Sequence, residues 1–294
     1  MIDRPGVYEI SFEEYLADPC PEASLTRSTI KDLVNRTPRH AFYNHPRLNP
    51  NLEKKEALKF DIGTLAHALF LEGLDKACVI DAADYRKDAT KEARDKARAD
   101  GLIPMLIDQY KDVQAMVTAA NEQLCEWEGR GIEIKDGDAE LTYIWKEKNG
   151  VWCRVRPDWR MLKPKTIGID FKTTQASADP QTYNRIAIET GLDIQDAFYR
   201  RGIAEIEGEE PEFIFMVQEI NPPYLCSFSE MDMMTRDMGE DKVKRSIKAW
   251  AGYLKSGVWP GYTTRTQTME STPWALSGWE MRKFSMGLAE QGEI

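Results

Sequence analysis

The sequence predicts a mixed α/β fold of the α+β kind, with short strands in the middle of the chain and long helices on either side. Three observations predict it. From Val151 to Asp158 the apolar Val151, Cys153 and Val155 alternate with Trp152, Arg154, Arg156 and Asp158; from Thr166 to Lys172, Ile167, Ile169 and Phe171 alternate with Gly168, Asp170 and Lys172. Both have the period of half-buried strands. The stretches 58–72, 104–127 and 230–255 read as helices. A chain of 294 residues with 42% hydrophobic and 10% aromatic side chains can bury a real core.

Taken in order, residues 10–16 form a short helix with Ser11 as N-cap and Glu14 at N3, the spacing of a capping box. Pro19, Pro21 and Glu22 mark a loop. Ser28 is the expected N-cap of a helix through Thr29 to Val34, and Pro38 opens a turn through Arg39, His40, Phe42 and Tyr43. Arg27, Lys31, Arg36, Arg39 and His40, with these aromatics, are either a surface for DNA entry or an ordinary amphipathic helix pair. Residues 46–55 read as a polar loop.

Leu58 to Glu72 is a strongly apolar helix ended by Gly73, with Gly63 and His67 at i, i+4 on one face. A glycine there costs about 1 kcal/mol against alanine, so something should approach Gly63 closely. His67 is either a metal ligand or a satisfied core residue. Residues 86–100 are charged nearly all round, as in an exposed helix or loop. Pro104 is read as the start of an amphipathic helix to Trp127, with Leu106, Tyr110, Val113, Val117 and Leu124 inward.

Glu140 to Trp145 and the two alternating stretches, with Asn149-Gly150 as a tight turn, read as a three-stranded antiparallel meander. A helix from Ala178 to Glu189 follows, then Asp193 to Arg201 with Gln195 and Tyr199 one turn apart, before Arg200 and Arg201. Strands at Glu212 to Glu219 and Tyr224 to Ser229 flank Asn221-Pro222-Pro223, and a long helix runs from about Glu230 to Lys255. The tail after Gly261 has weak periodicity.

If the Val151 and Thr166 strands are neighbours, Asp158, Asp170 and Lys172 converge on one point. Asp170 and Lys172 are one pleat repeat, about 7 Å, apart on one face. Two carboxylates with a strand carbonyl such as that of Phe171 offer hard oxygen ligands that suit Mg²⁺ or Mn²⁺. Such an ion provides hydroxide near neutral pH and offsets charge on a phosphoryl group, while an ammonium orients the attacking water or meets the developing charge. The chemistry is phosphodiester hydrolysis. Otherwise these residues are the solvated side of a strand.

Composition narrows the classes. Five scattered cysteines, without a Cys-x-x-Cys pair, indicate neither a disulfide framework nor a zinc or iron–sulfur site. No apolar run approaches the ~20 residues of a membrane span, and the first residues do not read as a signal peptide, so a cytoplasmic protein without a membrane partner is expected. The net charge of −10 argues against a broad basic DNA-binding surface but leaves room for a local basic cleft.

Gly63-x-x-x-His67, Arg156-Pro157-Asp158, Asp170-Phe171-Lys172 with Thr173-Thr174, and Gln195-x-x-x-Tyr199, in this order, resemble the RecB/RecE-type branch of the PD-(D/E)XK nuclease superfamily. Leu25-x-x-Ser28-x-x-Lys31-Asp32-Leu33, Thr37-Pro38 and Phe42 are similar to the RecE-type, exonuclease VIII-like exodeoxyribonucleases common in phages. The likeness runs from about residue 25 to 255. It implies a restriction-endonuclease-like core, a central mixed sheet flanked by helices, and a single domain over 1–294: a DNA-entry portion (1–57), the nuclease core (58–229), and a C-terminal helix and tail (230–294).

The same resemblance implies that His67, Asp158, Asp170 and the Phe171 carbonyl hold Mg²⁺, for which Mn²⁺ can substitute. Lys172 is then the catalytic lysine, and Gln195 and Tyr199 shape the DNA side of the site. Arg27, Ser28, Lys31, Arg154, Arg156, Thr173 and Arg200 are the expected substrate contacts, and Glu140 a candidate additional acid. The implied activity is 5′-to-3′ digestion of linear double-stranded DNA from its ends. It would leave 3′ overhangs for a single-strand annealing protein and work in a homo-oligomeric ring of three or four subunits, whose lumen alone need be basic. Two other readings are a nuclease-fold protein that binds DNA without cutting, and an unrelated α+β interaction protein. Retention of His67, Asp158, Asp170 and Lys172 together speaks against the first of these.

Overall fold

The structure, a computed structural model, describes residues 1–52 and 61–286. Two compact units are present, Met1–Pro260 and Gly261–Ile294. The first begins with β1 (Gly6–Tyr8), α1 (Phe12–Leu16), α2 (Arg27–Asn35), α3 (Pro38–Tyr43) and α4 (Asp61–Glu72). A small β-α-β segment follows, β2 (Ala77–Ile80), α5 (Asp88–Ala99) and β3 (Ile103–Leu106), leading into α6 (Ile107–Glu126). Then come β4 (Asp138–Ala139), β5 (Thr142–Lys146), β6 (Trp152–Val155), β7 (Trp159–Met161) and β8 (Ile167–Thr174). The unit closes with α7 (Pro180–Thr190), α8 (Leu192–Glu207), β9 (Glu212–Glu219), β10 (Cys226–Ser229) and α9 (Met233–Ser256). In the second unit α10 spans Pro273–Ser285.

The central sheet has the order β10-β9-β8-β7-β4 and is mixed, as expected. β8 and β9 run parallel, from Ile167 opposite Glu212 to Thr174 opposite Glu219, and the other pairs are antiparallel. β9 is buried on both faces. Phe213, Phe215 and Val217 join a core with Phe198 and Ile203 of α8, while Ile214 and Met216 join Ile169, Phe171, Phe70 and Leu124 beneath α4 and α6. That double burial makes a central strand read as a continuous apolar run; each large side chain so buried contributes about 1.5–3 kcal/mol. Eleven residues of α8 are buried, because it lies between the sheet and α9.

Many local readings hold. Ser11 and Glu14 form the capping box on α1, and Gly73, at φ +65°, ends α4 with its N–H on the Leu69 carbonyl. The start of the predicted Leu58–Glu72 helix and the end of the 46–55 loop lie outside the described residues. Three readings are corrected. The cap of α2 is Thr26, whose hydroxyl accepts from Thr29 N–H, and Ser28 lies within the helix. Pro104 lies in β3 and α6 starts at Ile107; among the described residues β3 pairs only with β2, and a strand with a free edge tolerates the missing N–H. The meander is split: β5 and β6 belong to a sheet of order β1-β5-β6, while β7 and β8 belong to the central sheet. Pro157 supplies no N–H to continue the ladder, and residues 156–158 carry the chain from one sheet to the other.

Candidate active site

The break between the two sheets positions the acids. Asp158 immediately precedes β7, whose Trp159 lies opposite Ile169 of β8 and Ala139 of β4. One residue further along each strand, Glu140, Asp158 and Asp170 stand in a row across three strands. Two hydrogen bonds fix the row: Glu140 N–H donates to the Asp158 carbonyl (3.0 Å), and Phe171 N–H donates to Asp158 Oδ2 (2.7 Å). Glu140 holds φ +57°, a left-handed conformation that costs a non-glycine residue roughly 1–3 kcal/mol.

α4 covers one side of the row. His67 Nε2 lies 3.3 Å from Asp158 Oδ2 and 3.6 Å from Glu140 Oε1. What approaches Gly63 is Thr173: a Cβ at Gly63 would sit 2.6 Å from Thr173 Oγ1. Gly63, Thr64, His67, Phe171, Lys172 and Thr173 line a cleft of about 370 Å³. From the other side α8 supplies Gln195, whose amide donates to Asp170 Oδ1. The Lys172 ammonium pairs with the buried Asp170 Oδ2. Arg156 donates to Glu140 Oε2 and to the Ile10 carbonyl, which holds Glu140 in the row.

Electrostatics follow from crowding acids in a buried place. Burial, and then the charge of Asp158, push the Asp170 carboxyl up to about 6. Burial works on Asp158 in the same direction, but Lys172 and His67 outweigh it and hold this carboxyl below its usual value. For Lys172 burial favours the neutral amine, yet Asp170 and Asp158 keep the ammonium. His67 is likewise raised, since Asp158 and Glu140 overcome its desolvation. With Glu72 close to His67 and Glu140, four carboxylates are gathered here against three cations, Lys172, His67 and Arg156.

A divalent cation fits this donor set, which offers one imidazole nitrogen and the carboxylate oxygens of Asp158, Asp170 and Glu140. A set of three whose ligand atoms lie within 4.8 Å of one another is His67, Glu72 and Glu140. Asp170, with Lys172 against it, sits deeper than that set. Glu72 was not singled out in sequence, because it is an exposed acid at the end of an apolar helix. Tyr183 of α7 was also missed; it is half-buried within electrostatic reach of Lys172 and Asp170, and nothing in its local pattern marks it.

Among the expected substrate contacts, Arg27 of α2 donates to the Thr190 carbonyl and acts electrostatically on Asp170 and Lys172, with Lys31 beside it against Gly191. Ser28 is exposed on the same helix. Tyr199 is buried, edge-on to Phe213, and feels the Asp170 and Asp158 charges. Two arginines are corrected. Arg154 is 3% exposed and pairs with Asp18 at 2.9 Å, so it belongs to the interior. Arg200 is also buried, paired with Asp196, Glu210 and Glu240 in a different groove along α8 and α9. The alternation that placed Arg154 on a polar face took no account of a second layer covering that face, and the position of Arg200 next to Tyr199 in sequence turns it to another side of α8.

Comparison with known proteins agrees with the geometry. A profile of the "PDDEXK-like domain of unknown function (DUF3799)" matches residues 27–272, ending just before α10. Among solved structures, a "Putative exonuclease" from Eubacterium rectale has a TM-score of 0.60 at 13% identity, covering 92% of this chain and 98% of that one, so the fold is shared. SSO0001, with a TM-score of 0.32 at 12% identity over 81% of each chain, is too distant to bear on the fold. No curated protein matches the sequence. With a profile spanning most of its length and Pro157-Asp158 and Asp170-x-Lys172 at one cleft, the chain belongs to the family of PDDEXK-like domains.

Proposed function

We propose that this protein is a metal-dependent exodeoxyribonuclease that hydrolyses linear double-stranded DNA from its ends in the 5′-to-3′ direction, as the RecE-type resemblance implies. The observation that carries the hydrolytic reading is the convergence of Asp158, Asp170 and Lys172 with His67 and Glu140 beside one open cleft. His67, Asp158 and Asp170 would hold Mg²⁺ or Mn²⁺, with the Phe171 carbonyl and Glu140 alongside; the ion supplies hydroxide near neutral pH and offsets phosphoryl charge.

The chain's own groups do the rest. Phe171 N–H, Gln195 and Arg156 fix the Asp158, Asp170 and Glu140 carboxylates, which keeps the ligands placed before substrate arrives. Lys172, kept as an ammonium, presents donors to the phosphate on which charge builds, a contribution of about 10²–10³ in rate for such a group. Arg27, Ser28, Lys31 and Thr173 face the phosphates entering the cleft, and Tyr199 supports Gln195 one helical turn away. A homo-oligomeric ring of three or four subunits would place these clefts around a lumen and reconcile the −10 charge with DNA binding. The 3′ overhang would pass to a single-strand annealing protein in the cytoplasm.

The test is digestion of linear duplex labelled at either the 5′ or the 3′ end, by wild type and Lys172→Ala, with Mg²⁺ and with EDTA. Metal-dependent release of the 5′ label, lost in Lys172→Ala, is the expected result. No cleavage by a folded wild type under any metal overturns the enzyme and leaves a DNA-binding protein.

A further inference from the structure

Helix α5 carries its charges in two separate stripes. Lys87, Lys91, Arg94 and Arg98 follow at i, i+4, i+7 and i+11, which places them within one narrow band along the helix. Asp88, Glu92 and Asp95 repeat the spacing on the adjoining face. The basic band is roughly 16 Å long at ~1.5 Å per residue, enough to follow several phosphates of a strand spaced ~3.4 Å along the duplex axis.

This band leads to the catalytic cleft. Arg98 pairs with Asp61 at 3.0 Å. Asp61 lies in the first turn of α4, six residues and roughly 9 Å before His67, and Gly63, Thr64 and His67 of that helix line the cleft. Arg94 is fixed over the Tyr85 ring at 5.7 Å, which holds the middle of the band in place.

Two features set these cations apart from an ordinary solvated face. Lys87 is the N-cap of α5 and makes no capping hydrogen bond with its side chain. Serine, threonine or an acid is favoured there, and a cation opposes the helix dipole, so the sequence accepts a local cost to keep charge at the outer end of the band. The acids bonded to the band, Asp88 on Lys91 (2.8 Å), Asp95 on Arg94 (2.8 Å) and Asp61 on Arg98, form at least partly exposed pairs. Such pairs add little to stability and exchange readily for a phosphate.

We propose that the basic band of α5 grips the sugar-phosphate backbone of duplex DNA just outside the cleft and sets how the duplex approaches it. The inference rests on the nuclease reading for the identity of the cleft, and its test separates the two.

The measurement is fluorescence anisotropy of an end-labelled duplex of about 24 base pairs, in EDTA, with the full chain as wild type, Lys87→Gln/Lys91→Gln and Lys87→Glu/Lys91→Glu. Metal-dependent hydrolysis of the p-nitrophenyl ester of thymidine 5′-monophosphate is followed in parallel, because so small a diester reaches only the cleft. The expected result is weaker duplex binding, about tenfold for the glutamine pair and more for the glutamate pair. The slope of log K against log salt should fall by about two in the glutamine pair, with ester hydrolysis unchanged.

Unchanged duplex affinity and salt slope in both variants overturn the inference, as does a wild type that binds no duplex. An equal loss of affinity for a single strand of the same length also overturns it, assigning the band to single-stranded product. Duplex binding that depends on the band in a protein that hydrolyses nothing would retain the band as a DNA-binding surface and sink the nuclease reading alone.

Discussion

Two clusters of buried charge in this molecule look alike in composition and behave as opposites. Beneath the N-terminal segment, Asp18 accepts from Ser24 N–H (2.8 Å), Ser24 Oγ (2.7 Å) and Cys20 N–H (3.3 Å), and pairs with Arg154 at 2.9 Å. His45 closes the remaining side, at 3.5 Å. One carboxylate there meets a full set of donors. At the cleft, four carboxylates, Glu72, Glu140, Asp158 and Asp170, share one lysine, one histidine and one arginine. A balanced cluster holds the chain together, whereas one with surplus negative charge offers ligands that a cation would fit.

Breaking the balanced cluster should give the largest change in stability. Asp18→Ala leaves the Arg154 guanidinium buried without its counter-charge, an expected loss of about 3–5 kcal/mol in urea unfolding, with turnover per folded molecule kept. A loss under about 1 kcal/mol would show that water or another group satisfies Arg154.

The cleft should respond to pH in the opposite sense from a stabilising ion pair. The Asp170 carboxyl is raised from 3.8 to about 6 by burial and by Asp158. Its protonated form is therefore favoured in the folded chain, and this contribution, complete below 3.8, is lost as pH rises through about 6. In chelator, Asp170→Asn should gain stability relative to wild type between pH 4.5 and 7, read from denaturation midpoints. A difference that does not vary with pH would mean that Asp170 is not crowded.

The contrast also explains what could be read in advance. Alternation in Ile167 to Lys172 placed Asp170 and Lys172 on one face, and the glycine at position 63 marked a close approach that proved to be Thr173. These are local signals. Pro157 was present in the sequence, but that it passes the chain between two sheets depends on partners far away. The same holds for Arg154, which reads as a polar-face residue until the segment from Asp18 to Ser24 folds over it. Glu72 and Tyr183 reach the site only through tertiary packing.

The smallest expected effect is at Arg200, whose guanidinium faces Asp196, Glu210 and Glu240 in place of the cleft. Arg200→Gln should keep nuclease activity per folded molecule within about twofold, as for a site away from the chemistry. A large drop would return this arginine to the substrate path.

The most direct measurement is a calorimetric titration of the wild type, Asp170→Asn and Asp18→Asn with Mn²⁺. Binding by the wild type, weakened at least about tenfold in Asp170→Asn and retained by the folded fraction of Asp18→Asn, is the predicted result. No binding by the wild type, or equal binding by wild type and Asp170→Asn, would contradict the reading of the surplus-acid cluster as a metal site.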